Sequence, residues 1–354
     1  MITLTKTNNR MPRWLSEGIS VYEERLRDPR WGQSMTARYR EMILGEDFTP
    51  VSKLSGAFLN PPTGAHLQFA YYESSLVVQY LVEKHGEEKL NAVLDSLADG
   101  IPINESLATN IGPIERLEAG FSEYAKEMAL AFGKDLEFER HELEPDETAE
   151  IIRWAGEHPD NYWARMTLVQ RAIAAEDFKS AAEHLEFLVE KDAATAEQGG
   201  VLESLALCYR ELGRESDERK TMEKLFSVSP DALPSLERYI EMEKSEQNWS
   251  SVLATAAQAL EIQPFATAIH QSVATACREL GQSEKAIDSL LALQAMDPID
   301  VAGLNFQLAE SLAAAGKTQA ATDHLVDALL VAPRYRDAHK LLLKLSQPAP
   351  ADEP

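Results

Sequence analysis

Apolar positions in the last two-thirds of the chain recur with helical spacing inside a longer period of about 34 residues. Four segments carry it most clearly: Gly213-Arg214 to Ser229-Pro230, Gln247-Asn248-Trp249 to Gln263-Pro264, Gly281-Gln282 to Asp297-Pro298, and Gly316-Lys317 to Ala332-Pro333. In each, a proline falls seventeen residues after the opening turn residue, and the prolines at 230, 264, 298 and 333 lie 34, 34 and 35 residues apart. A fainter copy runs from Glu176-Asp177-Phe178 to Ala193, and Pro159 closes a half-repeat before it. The longer step from Ala193 to Pro230 fits an insertion at Glu197-Gln198-Gly199-Gly200.

This spacing predicts two amphipathic helices per unit, joined by a tight turn. Gly213, Gly281 and Gly316 supply the turn's backbone freedom, and the closing proline stops the second helix because it lacks an N–H and clashes with the preceding turn. Small residues recur where helices must cross closely: Ala206, Ala274 and Ala309 on first helices, Ala181, Ala286 and Ala321 on second helices. Leu185, Met222, Leu290 and Leu325 fill the space between layers. One hairpin cannot bury its apolar face, so neighbouring hairpins must stack. Arg334 to Ser346 reads as a capping helix, and residues 347–354 as a disordered tail. The pattern over residues 145–346 resembles the tetratricopeptide repeat (TPR) family. That resemblance implies a groove lined by first helices, and its groove positions fall on Arg210, Glu241, Lys244, Gln271, Arg278 and Phe306. These are candidate contacts for a protein or peptide partner, against the plainer reading of a solvated helix face. A further alternative is internal, the array packing on the N-terminal part of the chain.

Residues 1–140 lack the period. Within them Leu15, Ile19, Tyr22 and Leu26 form an apolar stripe behind Pro12, which suits a first helical turn. Gly18 inside this stripe costs about 1 kcal/mol relative to alanine, so close packing against another helix is expected there. Trp14-Leu15-Ser16-Glu17-Gly18, followed by Tyr22 and Glu24, resembles the gluzincin metallopeptidase pattern W-L-x-E-G-x-x-x-Y-x-E. Phe69-Ala70-Tyr71-Tyr72-Glu73-Ser74-Ser75-Leu76, then Gly86-Glu87-Glu88-Lys89-Leu90 and Phe121-Ser122-Glu123-Tyr124, is similar to the helical half of a peptidase-MA-like domain. The resemblance covers roughly residues 1–130. It implies Glu17 as third zinc ligand, against an ordinary helical carboxylate, Glu24 as a second carboxylate orienting a ligand, against a solvent-exposed acid, and Tyr71 or Tyr72 as oxyanion donor, against core tyrosines. It also implies two histidines on an H-E-x-x-H helix upstream. None of the sixteen residues before Glu17 is His or Cys, and His141-Glu142-Leu143-Glu144-Pro145 has proline where the second histidine belongs. One carboxylate cannot hold a catalytic zinc, which takes three protein ligands. No cofactor is therefore expected on the chain as written, and zinc only in a full-length parent. His66 reads as a loop residue near the cleft, and Trp14 and Trp31 as core anchors.

Charge narrows the partners. Residues 1–140 carry 15 Lys/Arg against 21 Asp/Glu and the remainder 19 against 37, for a net charge of −24. Such a surface repels phosphate backbones and anionic lipid, so no nucleic-acid partner is expected. No run approaches the roughly eighteen apolar residues of a membrane span, and no leader peptide follows Met1. Compartment is left open, since a missing N-terminus would carry any export signal. Cys208 and Cys277 lie in helical patterns as small buried residues. No phosphate loop, nucleophile elbow or Cys–His pairing is present.

The expectation is an all-α chain: a partial peptidase-MA-like domain over residues 1–140, repeats over 141–346 comprising a half-repeat, five hairpins and a cap, and a tail over 347–354. The function expected is a TPR-containing, metallopeptidase-like fragment that is inactive as written and binds protein partners. The alternative is a non-enzymatic interaction scaffold.

Overall fold

The computed structural model describes residues 2–141, 147–191, 200–229 and 231–347, the side chains of residues 2 and 3 excepted. The tail beyond 347, most of the insertion at 197–200, Ala193, Pro230 and most of the 141–145 near-miss lie outside the described residues. Those described are all-α, with one isolated parallel bridge between Glu137 and Asn161. The chain forms two compact units, Met1–Pro230 and Asp231–Pro354.

In the first unit α1 (Ile2–Lys6), α2 (Arg13–Arg27) and α3 (Ala37–Leu44) precede a 3-10 turn (Val51–Lys53) and α4 (Leu54–Leu59). Then come α5 (Gly64–His85), α6 (Glu87–Ala98), α7 (Ile103–Asn110) and α8 (Ile114–Ala131). The sequence from Phe69 to Leu81 is apolar almost all round, and a helix of that kind must be enclosed. α5 accordingly forms the centre of this core, its own Tyr72 and Leu76 fully buried and Trp14, Leu15 and Phe121 fully buried beside it. Trp31 departs from its expected role. It is 39% exposed, because it sits on the turn after α2, where its N–H caps the Asp28 carbonyl instead of facing the core. Leu26 is likewise 62% exposed, at the rim of an apolar hollow that Ile19, Tyr22, Val82 and Leu94 also line.

The repeats follow as α9 (Thr148–Glu157), then the hairpins α10 (Tyr162–Ala174) with α11 (Phe178–Lys191) and α12 (Val201–Glu211) with α13 (Glu215–Val228). The first hairpin is mounted on the N-terminal helices. Phe132 and Phe138 from the intervening segment share a core cluster with Ala37, Tyr162 and Val169. Asn161 ties the joint, donating from Nδ2 to the Glu139 carbonyl and capping α10 through the Ala164 N–H. Arg140 stacks on Trp163 at 3.5 Å and grips Glu41 with two bonds of 2.8 Å.

The second unit holds the hairpins α14 (Leu233–Ser245) with α15 (Trp249–Ile262), α16 (Thr267–Glu279) with α17 (Ser283–Ala295), and α18 (Val301–Ala314) with α19 (Thr318–Val331), then α20 (Arg336–Ser346). The alanines expected at crossings are buried, from Ala181 and Ala206 to Ala274, Ala286, Ala309 and Ala321, as are Cys208 and Cys277.

All five hairpins close with the same turn. The N–H groups of Asp177, Arg214, Asn248, Gln282 and Lys317 reach back to the carbonyls of Ala172, Tyr209, Glu243, Cys277 and Leu312. The residue before each donor is left-handed: Gly213, Gly281 and Gly316 at φ of 67°, 68° and 76°, but Glu176 and Gln247 at 57° and 58°. A side chain costs about 1–2 kcal/mol in that conformation, and glycine returns roughly half of it as unfolded-state entropy. Gln247→Gly is therefore expected to stabilise the second unit by about 0.5–1 kcal/mol, read as a raised melting temperature. An unchanged or lower value contradicts this account of the turn.

Candidate functional site

The site is built on the crossing of α2 and α5. Trp14 and Leu15 are buried on α2, and Glu17, one turn on from Trp14, stays partly exposed at the edge of that face. Gly18 lies directly on α5: a Cβ there would stand 2.6 Å from the Ser74 carbonyl oxygen. The two backbones touch, as the glycine within the apolar stripe implies.

That approach brings Tyr71 level with the first turn of α2. Arg13 spans the gap, donating from Nε to Glu17 at 3.3 Å and from Nη2 to the Tyr71 hydroxyl at 2.7 Å. Its guanidinium faces the Phe58 ring at 5.3 Å, and Phe58 packs edge-on against Tyr71 at 5.1 Å. The Tyr71 oxygen accepts, so its own proton is free to donate outward. Arg13, Glu17 and Tyr71 thus form one surface patch over the buried Phe58 ring. Residues 2–129 match the family model of the Peptidase MA superfamily.

Within this peptidase-MA-like segment the structure separates the two tyrosines. Tyr72 points into the core, stacked on Tyr39 at 4.9 Å, and burial pushes its hydroxyl well above the ordinary tyrosine range. Tyr71 alone shares the patch with Glu17. Glu24 is exposed, two helical turns or about 10 Å along α2. His66 lies in the first turn of α5 rather than in a loop, held by the Thr63 hydroxyl at 2.8 Å and by Asp47 at 3.3 Å.

Glu17 has a guanidinium as its partner, and among the described residues no group of three or more His, Cys, Asp or Glu side chains converges anywhere. Two residues of this region escaped the sequence reading. Arg13 was passed over beside the motif it serves. Glu73 sits in the apolar core of α5 at 1% exposure; its Oε1 accepts from the Thr49 N–H at 2.7 Å, its Oε2 has no partner, and burial raises its pKa to about 8. A lone acid inside Phe69–Val78 was the signal for it.

The repeat candidates fall in both units. In the first, exposed Arg210 of α12 pairs with its neighbour Glu211 at 3.2 Å. In the second, Lys244 bonds Glu241 at 2.7 Å within α14. Gln271 and Arg278 on α16 reach across to Gln307 and Glu310 on α18 at 3.0 and 2.6 Å. Phe306 is partly buried against Tyr335, with ring centroids 4.9 Å apart. Gln271, Gln307, Leu304, Met296 and the fully exposed Ile299 line a cavity of about 500 Å³.

Among solved structures the chain is similar to YrrB, a TPR protein with an unusual peptide-binding site. Identity is 12% and TM-score 0.42, over 54% of this chain and 96% of that one. It is similar to MamA from Desulfovibrio magneticus RS-1 at 13% identity and TM-score 0.36, over 49% of this chain and 95% of that one. TTC0263, a thermophilic TPR protein in Thermus thermophilus, gives 19% and 0.28, over 51% and 96%. No curated protein matches the sequence. Among the described residues no helix is long and apolar enough to cross a membrane.

Proposed function

We propose that this TPR-containing chain carries, over residues 1–140, the helical half of a metallopeptidase-like domain, non-catalytic through its own residues, and that its repeats take up protein or peptide partners. The observation that carries the first part is the Glu17–Arg13 pair. A carboxylate already bonded to a cation, with no imidazole beside it, is no zinc site. The binding role is supported by the α16–α18 face, where polar side chains bridge adjacent first helices beside an apolar-lined cavity.

Peptide-display selection on the intact chain tests the binding role. Enriched peptides are expected to lose at least about tenfold in affinity to Ile299→Glu, a change that desolvates nothing in the core. They should keep it for Leu343→Glu, another exposed apolar site, on α20. Peptides that bind both variants alike contradict the assignment of this face.

A second reading makes Glu17 a working ligand whose histidines come from sequence upstream of Met1. It is favoured by the Glu17 side chain's remaining about a third exposed, at 34%, beside the Tyr71 hydroxyl. An in-frame H-E-x-x-H in the coding DNA upstream of Met1 decides for it, and an in-frame stop codon against it.

A further inference from the structure

A second cavity, of about 670 Å³, opens in the N-terminal helices away from Glu17. Tyr80, Lys84 and His85 reach it from the last turns of α5, and Arg116, Leu117 and Glu123 from α8, with Ile111 and Pro113 completing an apolar wall. The Nε2 atom of His85 is buried without a hydrogen-bond partner, a state native structures seldom leave unexplained. The Arg116 guanidinium forms no hydrogen bond or ion pair among the described residues; its charge is felt by Tyr80 and His85. The Lys84 ammonium stands 5.7 Å from the Tyr124 ring centroid.

The charge balance of this cavity runs against that of the chain. Lys84 and Arg116 outnumber Glu123, in a protein of net charge −24. His85 adds no further charge, because burial, Arg116 and Lys89 all hold it below the ordinary histidine range. One surplus positive charge suits a monoanion better than a dianion. Apolar surface beside a few convergent polar groups is the usual composition of a small-molecule site. We propose that this cavity binds a monocarboxylate borne on an apolar body, with Arg116 and Lys84 donating to the carboxylate, the His85 ring lying beside it and Ile111, Pro113 and Leu117 covering the body.

Binding of an anion beside His85 favours the imidazolium, so bound ligand should raise the His85 pKa and affinity should increase as pH falls through it. The groups facing His85 are Tyr80 on its own helix, Lys89 from α6, and Arg116 and Glu123 from α8. None of these carries an acid that already pairs with the ring.

The test titrates 3-phenylpropionate, its neutral amide and inorganic phosphate into the intact chain, following the His85 ring proton by NMR, assigned by its loss in His85→Gln. A saturable shift and an upward His85 pKa are expected with 3-phenylpropionate only. Arg116→Gln should weaken binding by roughly tenfold or more, since a charge-assisted bond is removed. Arg116 and Lys84 are both exposed, so Lys84→Gln serves as a second charge variant should the first disturb folding. His85→Gln should remove the pH dependence. The proposal is overturned by no saturable shift, by amide or phosphate binding as tightly as the carboxylate, or by unchanged affinity in both charge variants.

Discussion

Replacing Gly18 by alanine is expected to destabilise the N-terminal helices by about 2–4 kcal/mol, although the same change in an open helix gains about 1. The added methyl would sit 2.6 Å from the Ser74 oxygen and 2.8 Å from its carbonyl carbon. Both are backbone atoms of a buried helix, so no side-chain rotation relieves the overlap. α2 and α5 must separate, and Trp14 and Leu15 lose packing in the core they share with α5. Urea unfolding followed by tryptophan fluorescence reads the effect as a lowered midpoint. The same separation moves Arg13 away from the Tyr71 hydroxyl. A Gly18→Ala chain as stable as the parent would show that the crossing is looser than the structure has it.

Glu73→Gln should act in the opposite direction, and only as pH rises. Burial lifts the folded pKa from 4.5 to about 8, so between those values the folded chain holds a proton that the unfolded chain has released. Stability from this group is complete below about 4.5 and is lost progressively as pH climbs to about 8. At roughly 1.4 kcal/mol per pH unit the loss is bounded near 5 kcal/mol. Glutamine keeps the acceptor for the Thr49 N–H and cannot ionise. Parent and variant are expected to melt alike near pH 4, with the variant more stable by about 2–4 kcal/mol at pH 8. Parallel melting curves across that range would mean that Glu73 is solvated in solution.

Much of the repeat region could be read from the chain alone, because its hairpins are local. Gly213, Gly281 and Gly316 announced turns that need backbone freedom, and the structure puts all three at positive φ. The alanines at 181, 206, 274, 286, 309 and 321 announced close crossings, and they are buried. Gly18 announced a partner helix in the same way without saying which. Trp31 and Leu26 were misjudged because an apolar side chain states a preference for burial, while the turn after α2 and the end of that helix decide whether cover is available.

The helical period, the turn residues and the ligand-like face of α2 belong to the sequence, since each depends on neighbours within about one or two turns. Which tyrosine faces Glu17, that Arg13 holds both, that Glu73 is sealed in the core, and that α16 bonds to α18 are matters of tertiary structure. These pairs join residues up to 58 positions apart, and a one-residue step around a helix turns a side chain by about 100°. Tyr71 and Tyr72 differ by that single step, and only the packing of α5 tells the surface from the core.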